Sequence, residues 1–240
     1  DKGGHAFGFL KASWYNRENI FCEGDLMDLR VISRFLGKIA LAEGGVLFLP
    51  LAMAIIMGES SWLPFVGSII LCGLVGMSCL NYGRVRTQKL TMREGIAITG
   101  IGWMLATFLG MLPYCLGGYL SYFDGLFESV SGFTGTGATV ITDLEILPQS
   151  LLLWRSMTHW LGGLGIIVIF VALFPQAGKG SARMIDAEST GPYSSRAVPR
   201  IKEMAKALFA VYLLFTVSAA LIYTLLGMNF FDAVNHAFST

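Results

Sequence analysis

Apolar residues in this chain come in five long runs, separated by charged or glycine-rich punctuation. The runs cover residues 31–57, 62–82, 94–116, 151–174 and 207–226. Each holds roughly 20 apolar residues, enough as a helix rising about 1.5 Å per residue to cross about 30 Å of hydrocarbon. The pattern predicts five membrane-crossing helices. Between the third and fourth runs lies 121–134, SYFDGLFESVSGFT, which has helical character but is too short to span. The overlapping stretch SGFTGTGATV at 131–140 interleaves glycine with threonine and predicts neither helix nor strand beyond 134.

The punctuation sets the topology. Arg30, Arg34 and Lys38 lead into the first run, and a basic loop with Arg84, Arg86, Lys89 and Arg93 comes after the second. The polar stretch after the fourth run carries Lys179, Arg183, Arg196, Arg200, Lys202 and Lys206. Basic loops stay on the cytoplasmic side, so an even number of crossings separates the last two groups. The third and fourth runs already supply two. The segment 121–149 therefore enters from outside and returns, as a re-entrant helix and loop. The GESS turn at 58–61 faces outside by the same rule. Non-helical backbone at membrane depth needs protein or a watery cavity around it, so the loop faces water.

Composition agrees with this reading. Charged residues make up 14% and hydrophobic residues 54% of the 240 positions, and mean hydropathy is +0.63, against about 25% charged in soluble domains. A net charge of +1 gives no footprint for nucleic acid. The four cysteines, Cys22, Cys72, Cys79 and Cys115, have no ligand-like spacing and read as small core residues. Three scattered histidines and no facing carboxylate pair give no catalytic constellation, so enzyme activity is not expected. Residues 1–26 lack a signal-peptide pattern and differ in character from the rest of the chain. They read as a non-native or disordered extension, with a native start expected at Met27.

The glycine-threonine loop has the chemistry of a cation path. A dehydrated alkali cation needs several oxygens in place of water, and backbone carbonyls supply them when successive residues turn them the same way. Glycine permits the positive φ this requires, and threonine adds a hydroxyl. A short helix aimed at the membrane interior would direct its carbonyl end at the ion, with Asp124 placed to cap the other end. A nucleotide loop is excluded: GTGATV lacks the third glycine and a preceding strand, and GKGS at 178–181 lacks the Walker spacing.

A repeat strengthens this. Phe123-Asp124 opens FDGLFESVSG and Phe231-Asp232 opens FDAVNHAFST; Arg93-Glu94 heads the third run and Lys202-Glu203 the fifth. The unit is crossing helix, short helix, loop, crossing helix, present once whole and once as its first half. One unit cannot surround an ion, so partner copies are expected.

Several other residues stand out. Gly162, Gly163 and Gly165 on the fourth run read as close-packing positions. Arg155 and His159 share a helix face; Arg155 lies near the outer end and reads as snorkelling, His159 as a satisfied interior histidine, with a gate as the alternative. Glu43, deep in the first run, reads as a structural partner rather than an ion site. Glu128, one turn after Asp124, either adds negative potential near the pore or pairs with a neighbouring segment. Asp143 and Glu145 either raise external cation concentration or form a solvated turn.

Taken together, SGFTGTGATV, THWLGGLGIIV, AESTGP, PRIKEMAK and the opening MDLRVISRFLGK resemble the Trk/Ktr/HKT superfamily of potassium transporters, of the TrkH type, over residues 27–240. The resemblance implies an all-α integral membrane protein of membrane–pore–membrane repeats with re-entrant pore helices and two extra N-terminal transmembrane helices. It divides the chain into a 1–26 extension, the extra helices at 27–82, a first repeat at 83–174, a cytoplasmic loop at 175–200 and half a second repeat at 201–240. It implies K+ uptake across the bacterial cytoplasmic (inner) membrane, a homodimer in lipid, and a cytosolic nucleotide-binding regulatory subunit of the TrkA/KtrA type. Thr134, Gly135, Thr136, Gly137 and Ala138 then form the first filter segment, K+ being held by Thr134, Gly135, Thr136 and Gly137. Asp124 and Glu128 support the pore helix. Gly137 aligns with the glycine associated with potassium preference, while Gly135 departs from the threonine common in this type. The rival readings are a Na+- or H+-coupled secondary transporter and a scaffold built on a relic pore.

Overall fold

A computed structural model describes residues 27–84, 92–165 and 197–240, and the regular structure among the described residues is all helical, without a strand. The first apolar run forms two helices, α1 (Leu29–Val46) and α2 (Phe48–Met57), which together are long enough to span. Asp28 starts α1, its side chain accepting from the Arg30 N–H at 2.9 Å. The break at Leu47 has a covalent cause: the ring of Pro50 meets the carbonyl four residues back, at Val46, and offers it no N–H. Gly58, with φ +68°, ends α2 in a left-handed cap, and α3 (Trp62–Tyr82) runs back.

The hairpin closes over glycine. A Cβ on Gly37 would lie 2.8 Å from the Gly76 carbonyl, and one on Gly44 would lie 3.1 Å from Cys72 Cβ. Residue numbers rise along α1 as they fall along α3, so the helices are antiparallel. Small residues let backbones approach where lipid removes the usual hydrophobic drive between helices.

The third run repeats the proline device. α4 (Met92–Gly110) stops and α5 (Leu112–Leu116) resumes, with Pro113 clashing back onto the carbonyl of Leu109. The Tyr114 N–H bonds Met111 instead of Gly110, and the freed Gly110 carbonyl accepts the indole N–H of Trp154 at 2.9 Å. Next come α6 (Tyr122–Thr134), a 3-10 turn at Leu144–Ile146, and α7, helical over 149–165. The last part is α8 (Ala197–Leu225), whose 206–225 stretch is long and apolar enough to span, and α9 (Phe230–Ser239). The fourth expected span is thus described as far as 165, and the expectations for 1–26 and most of 175–200 lie outside the described residues.

One buried core joins the hairpin to the helices after it. Leu47, Leu51, Ala54 and Phe65 pack with Leu109, Tyr114, Leu151, Trp154 and Met157. The repeat read from sequence has a local counterpart: α6 and α9 are both short and both carry an aspartate in the first turn, Asp124 and Asp232. They differ one turn on, where α6 has Glu128 and α9 has His236, whose ring stands edge-on to Tyr223 at 6.2 Å. α8 contributes Tyr212, whose hydroxyl donates to the Trp160 carbonyl at 3.0 Å, and Trp160 stacks obliquely on Phe238 of α9.

The hairpin contact generates a test. Gly37→Val must displace a backbone carbonyl, and overpacking of this kind costs about 1–3 kcal/mol. Gly73 has no heavy atom within 4 Å of an added Cβ, so Gly73→Ala should leave stability unchanged or improved. Thermal unfolding of the full-length protein in detergent should show a lowered midpoint for the first variant alone. Equal midpoints would mean the α1–α3 approach is looser than described.

Candidate functional site

The site is built on α6, a helix of 13 residues that starts and stops for identifiable reasons. Ser121 is the N-cap: its Oγ accepts from the Asp124 N–H at 3.3 Å and donates to Asp124 Oδ2 at 2.6 Å. The cap satisfies one orphan donor of the first turn, the Asp124 N–H, and the Asp124 carboxylate in turn orients the capping hydroxyl. The sequence suggests Asp124 as the cap itself; in the structure it is the partner that holds the cap in place. At the other end Gly135 adopts φ +68°, its N–H bonds the Gly132 carbonyl, and the Thr136 N–H reaches Ser131, both at 3.0 Å. A left-handed residue with these two bonds terminates a helix and reverses the chain, and glycine is the residue that does so without strain.

Gly137 is left-handed as well, at φ +75°. Two left-handed glycines flanking Thr136 turn successive peptide planes in a way that ordinary extended chain does not. Among the described residues no hydrogen bond reaches the carbonyls of Gly135, Thr136 or Gly137, and Thr134 to Ala138 are exposed. Thr134 Oγ1 bonds the Val130 carbonyl and Thr136 Oγ1, each at 2.8 Å. Ala138 differs from the other four, because its carbonyl accepts from Ser131 Oγ and is turned back toward α6.

Beyond Ala138 the chain folds back along α6 and is held by Glu128. This side chain is 2% exposed. Its Oε1 accepts from the Val140 N–H at 2.8 Å and from the Thr139 hydroxyl; its Oε2 accepts from Arg155 Nε of α7 at 3.2 Å. Of the two readings open for Glu128, the one in which it pairs with a neighbouring segment holds. Arg155 is corrected by the same contact: its guanidinium turns inward to the carboxylate instead of snorkelling outward. A carboxylate with three donors meets the requirement for a buried charge.

Glycine also sets how closely α7 lies on α6. A Cβ on Gly162 would collide with the Phe133 backbone carbonyl, and one on Gly132 with the Thr158 hydroxyl. A Cβ on Gly163 would lie 2.5 Å from the Tyr212 hydroxyl, and one on Gly165 would lie 3.1 Å from the Trp103 ring. The three α7 glycines are therefore packing positions. His159 is half-buried, with Nδ1 2.9 Å from the Arg155 carbonyl of its own helix.

Glu43 does not find the structural partner expected for it. It is 5% exposed, and among the described residues neither carboxylate oxygen has a hydrogen-bond partner. A Cβ built on Gly110 would lie 3.2 Å from Glu43 Oε1 and 2.8 Å from Ser129 Oγ, so the carboxylate lies behind α6. Ser129 donates instead to the Thr107 carbonyl at 2.7 Å. Cys72, Cys79 and Cys115 are unpaired; Cys72 lies in the buried core, while Cys79 and Cys115 are half-buried. Sequence reasoning missed Ser121, Ser131 and Thr139. Only Ser121 left a signal, a serine three residues ahead of an acid at a helix start.

Comparison with known proteins gives consistent results. The family described as TrkH, cation transport protein, matches residues 65–240. The chain is 40% identical over 219 residues to the Trk system potassium uptake protein TrkH of Halomonas elongata, covering 89% of this chain and 45% of that protein. It is 35% identical to the protein of the same name from Escherichia coli K12, again covering 89% of this chain and 45% of the relative. Among solved structures, the crystal structure of the potassium transporter TrkH from Vibrio parahaemolyticus matches with a TM-score of 0.75 at 33% identity, over 88% of this chain and 42% of that one. The chain thus spans less than half the length of these relatives.

The Glu128–Arg155 pair predicts a strongly coupled double-mutant cycle. Glu128→Ala alone leaves the partly buried guanidinium without its carboxylate and the Thr139 and Val140 donors without their acceptor, and should cost about 2–4 kcal/mol. Adding Arg155→Leu should recover part of that loss. Stability of the four proteins in detergent measures the coupling, and additivity within about 0.5 kcal/mol would show that the pair does not interact.

Proposed function

This chain belongs to the TrkH family of cation transport proteins, and from that premise we propose that it contributes the first filter segment of a potassium uptake path. α6 is the re-entrant pore helix, entering from outside and ending at membrane depth. The stretch Thr134–Gly137 is the ion-coordinating part of the filter. Ala138 completes the turn, with its carbonyl held by Ser131. The observation that carries the reading is the pair of left-handed glycines, Gly135 and Gly137, at the carbonyl end of a short helix, with the carbonyls between them unengaged. Such carbonyls can replace the hydration shell of K+, and the negative end of the helix dipole adds to the attraction. Glu128 is no ligand in this scheme, since Arg155 balances its charge.

The relatives named as Trk system potassium uptake proteins support K+ as the ion. On this reading 27–82 is an additional hairpin, 83–174 the first membrane–pore–membrane repeat and 201–240 half of the second. The protein works in the bacterial cytoplasmic membrane as the translocation subunit of a Trk-type system. It pairs as a homodimer and is gated by a cytosolic nucleotide-binding subunit at its basic cytoplasmic face. No enzyme chemistry enters. The coupled-transporter reading has one observation in its favour: Glu43, a buried carboxylate without a hydrogen-bond partner within a spanning segment, is the kind of group through which proton or sodium coupling operates.

Rubidium uptake by the full-length protein, in cells lacking their own potassium uptake systems, tests the proposal. Gly137→Asp should abolish uptake at normal membrane levels, because it places a side chain and a charge where φ is +75°. Uptake equal to the parent would put the ion path elsewhere. Current that persists without a sodium or proton gradient separates the channel-like reading from the coupled one.

A further inference from the structure

The outer tip of the α2–α3 hairpin holds the first turn of α7. Glu59, just past the left-handed cap of α2, accepts from the Gln149 N–H at 2.8 Å, the Ser150 N–H at 3.2 Å, the Ser61 hydroxyl at 2.9 Å and the Ser150 hydroxyl. The Ser61 and Ser150 hydroxyls also lie 2.7 Å apart, and both serines are fully buried. α7 needs this. A helix start exposes N–H groups with no internal partner, and Pro148, which precedes the helix, has no side-chain acceptor to offer. The acceptor comes from a residue some 90 positions earlier, and its negative charge suits the positive end of the helix.

α7 links two other contacts. Leu151, Trp154 and Met157 face the hairpin core, while Arg155 and Thr158 face α6. Arg155 lies five residues below Ser150, about 7.5 Å along the axis. The glycine-threonine loop and its return leg are therefore fixed at four places: at Gly135 by the end of α6, at Ala138 by Ser131, at Thr139 and Val140 by Glu128, and at Gln149 and Ser150 by Glu59. The last anchor belongs to the hairpin, outside the repeat that carries the loop.

We propose that Glu59 is a positioning residue for the filter: the hairpin tip sets the axial register of α7, and through Arg155 and Glu128 the outer leg of the loop. The inference rests on the filter reading above. It gives the added N-terminal hairpin a role in ion discrimination, exerted from a side chain that never meets the ion.

The test is rubidium uptake by the full-length protein carrying Glu59→Gln, Glu59→Asp or Ser150→Ala, with KM, Vmax and inhibition by sodium read separately. Glu59→Gln should raise KM about fivefold and admit sodium inhibition at correspondingly lower concentration, with Vmax per membrane-inserted protein within about twofold. Glu59→Asp should restore part of both. Ser150→Ala, which keeps the backbone bonds, should shift both parameters in the same direction but less, and it carries the test if Glu59→Gln fails to reach the membrane. Unchanged KM and sodium inhibition in every variant that reaches the membrane overturn the inference, whether or not protein levels fall, since Glu59 would then be only a helix cap. If the parent takes up no rubidium, the filter reading fails and this inference fails with it. Normal parent uptake with unaltered variants removes the inference alone.

Discussion

A charged carboxylate among apolar helices is costly to bury unless donors surround it, and that requirement at Glu128 organises the region around the glycine-threonine loop. Its two oxygens draw together three parts of the chain: the short helix that bears it, the loop that leaves that helix, and the helix after the loop. Each partner is itself fixed. Ser121 and Asp124 hold the start of α6, Gly135 ends it, and glycines at 132 and 162 let α7 approach it backbone to backbone. The carboxylate is the link through which Val140 is tied to α7.

The helices that carry this arrangement are shaped by proline as much as by packing. Pro50 and Pro113 each interrupt a span that hydropathy reads as continuous, and each break frees backbone groups that need new partners. At the second break the partner is Trp154, so the indole that fills the core also repairs the helix. The interruption in α4–α5 is thus tied to α7 on one side, while Ser129 bonds Thr107 on the other. Packing and polar satisfaction are supplied by the same residues.

How much of this the sequence discloses depends on the range of each interaction. The spans are legible because hydrophobic runs of that length report directly on a bilayer: the pattern predicts 62–82 and Trp62–Tyr82 is found, and the end of α6 at Thr134 comes from a glycine that permits a left-handed turn. Contacts between distant residues leave no such mark. Arg155 near a helix end suggests an interface, until Glu128 is known to face it. Asp124 and Ser121 are both sound capping residues, and only the chain path chooses between them. Glu43 is the clearest failure: an acid in a spanning helix suggests a partner, yet none of the described residues supplies one.

The difference between α6 and α9 carries a consequence for substitution. Both short helices have the aromatic-aspartate start, but one turn on the first has Glu128 and the second has His236. The first is fastened by an ion pair to α7, the second by a ring contact with Tyr223 of α8. Because the two lie in one chain, a change at Glu128 leaves His236 and its contact untouched, and each short helix answers to its own neighbours alone.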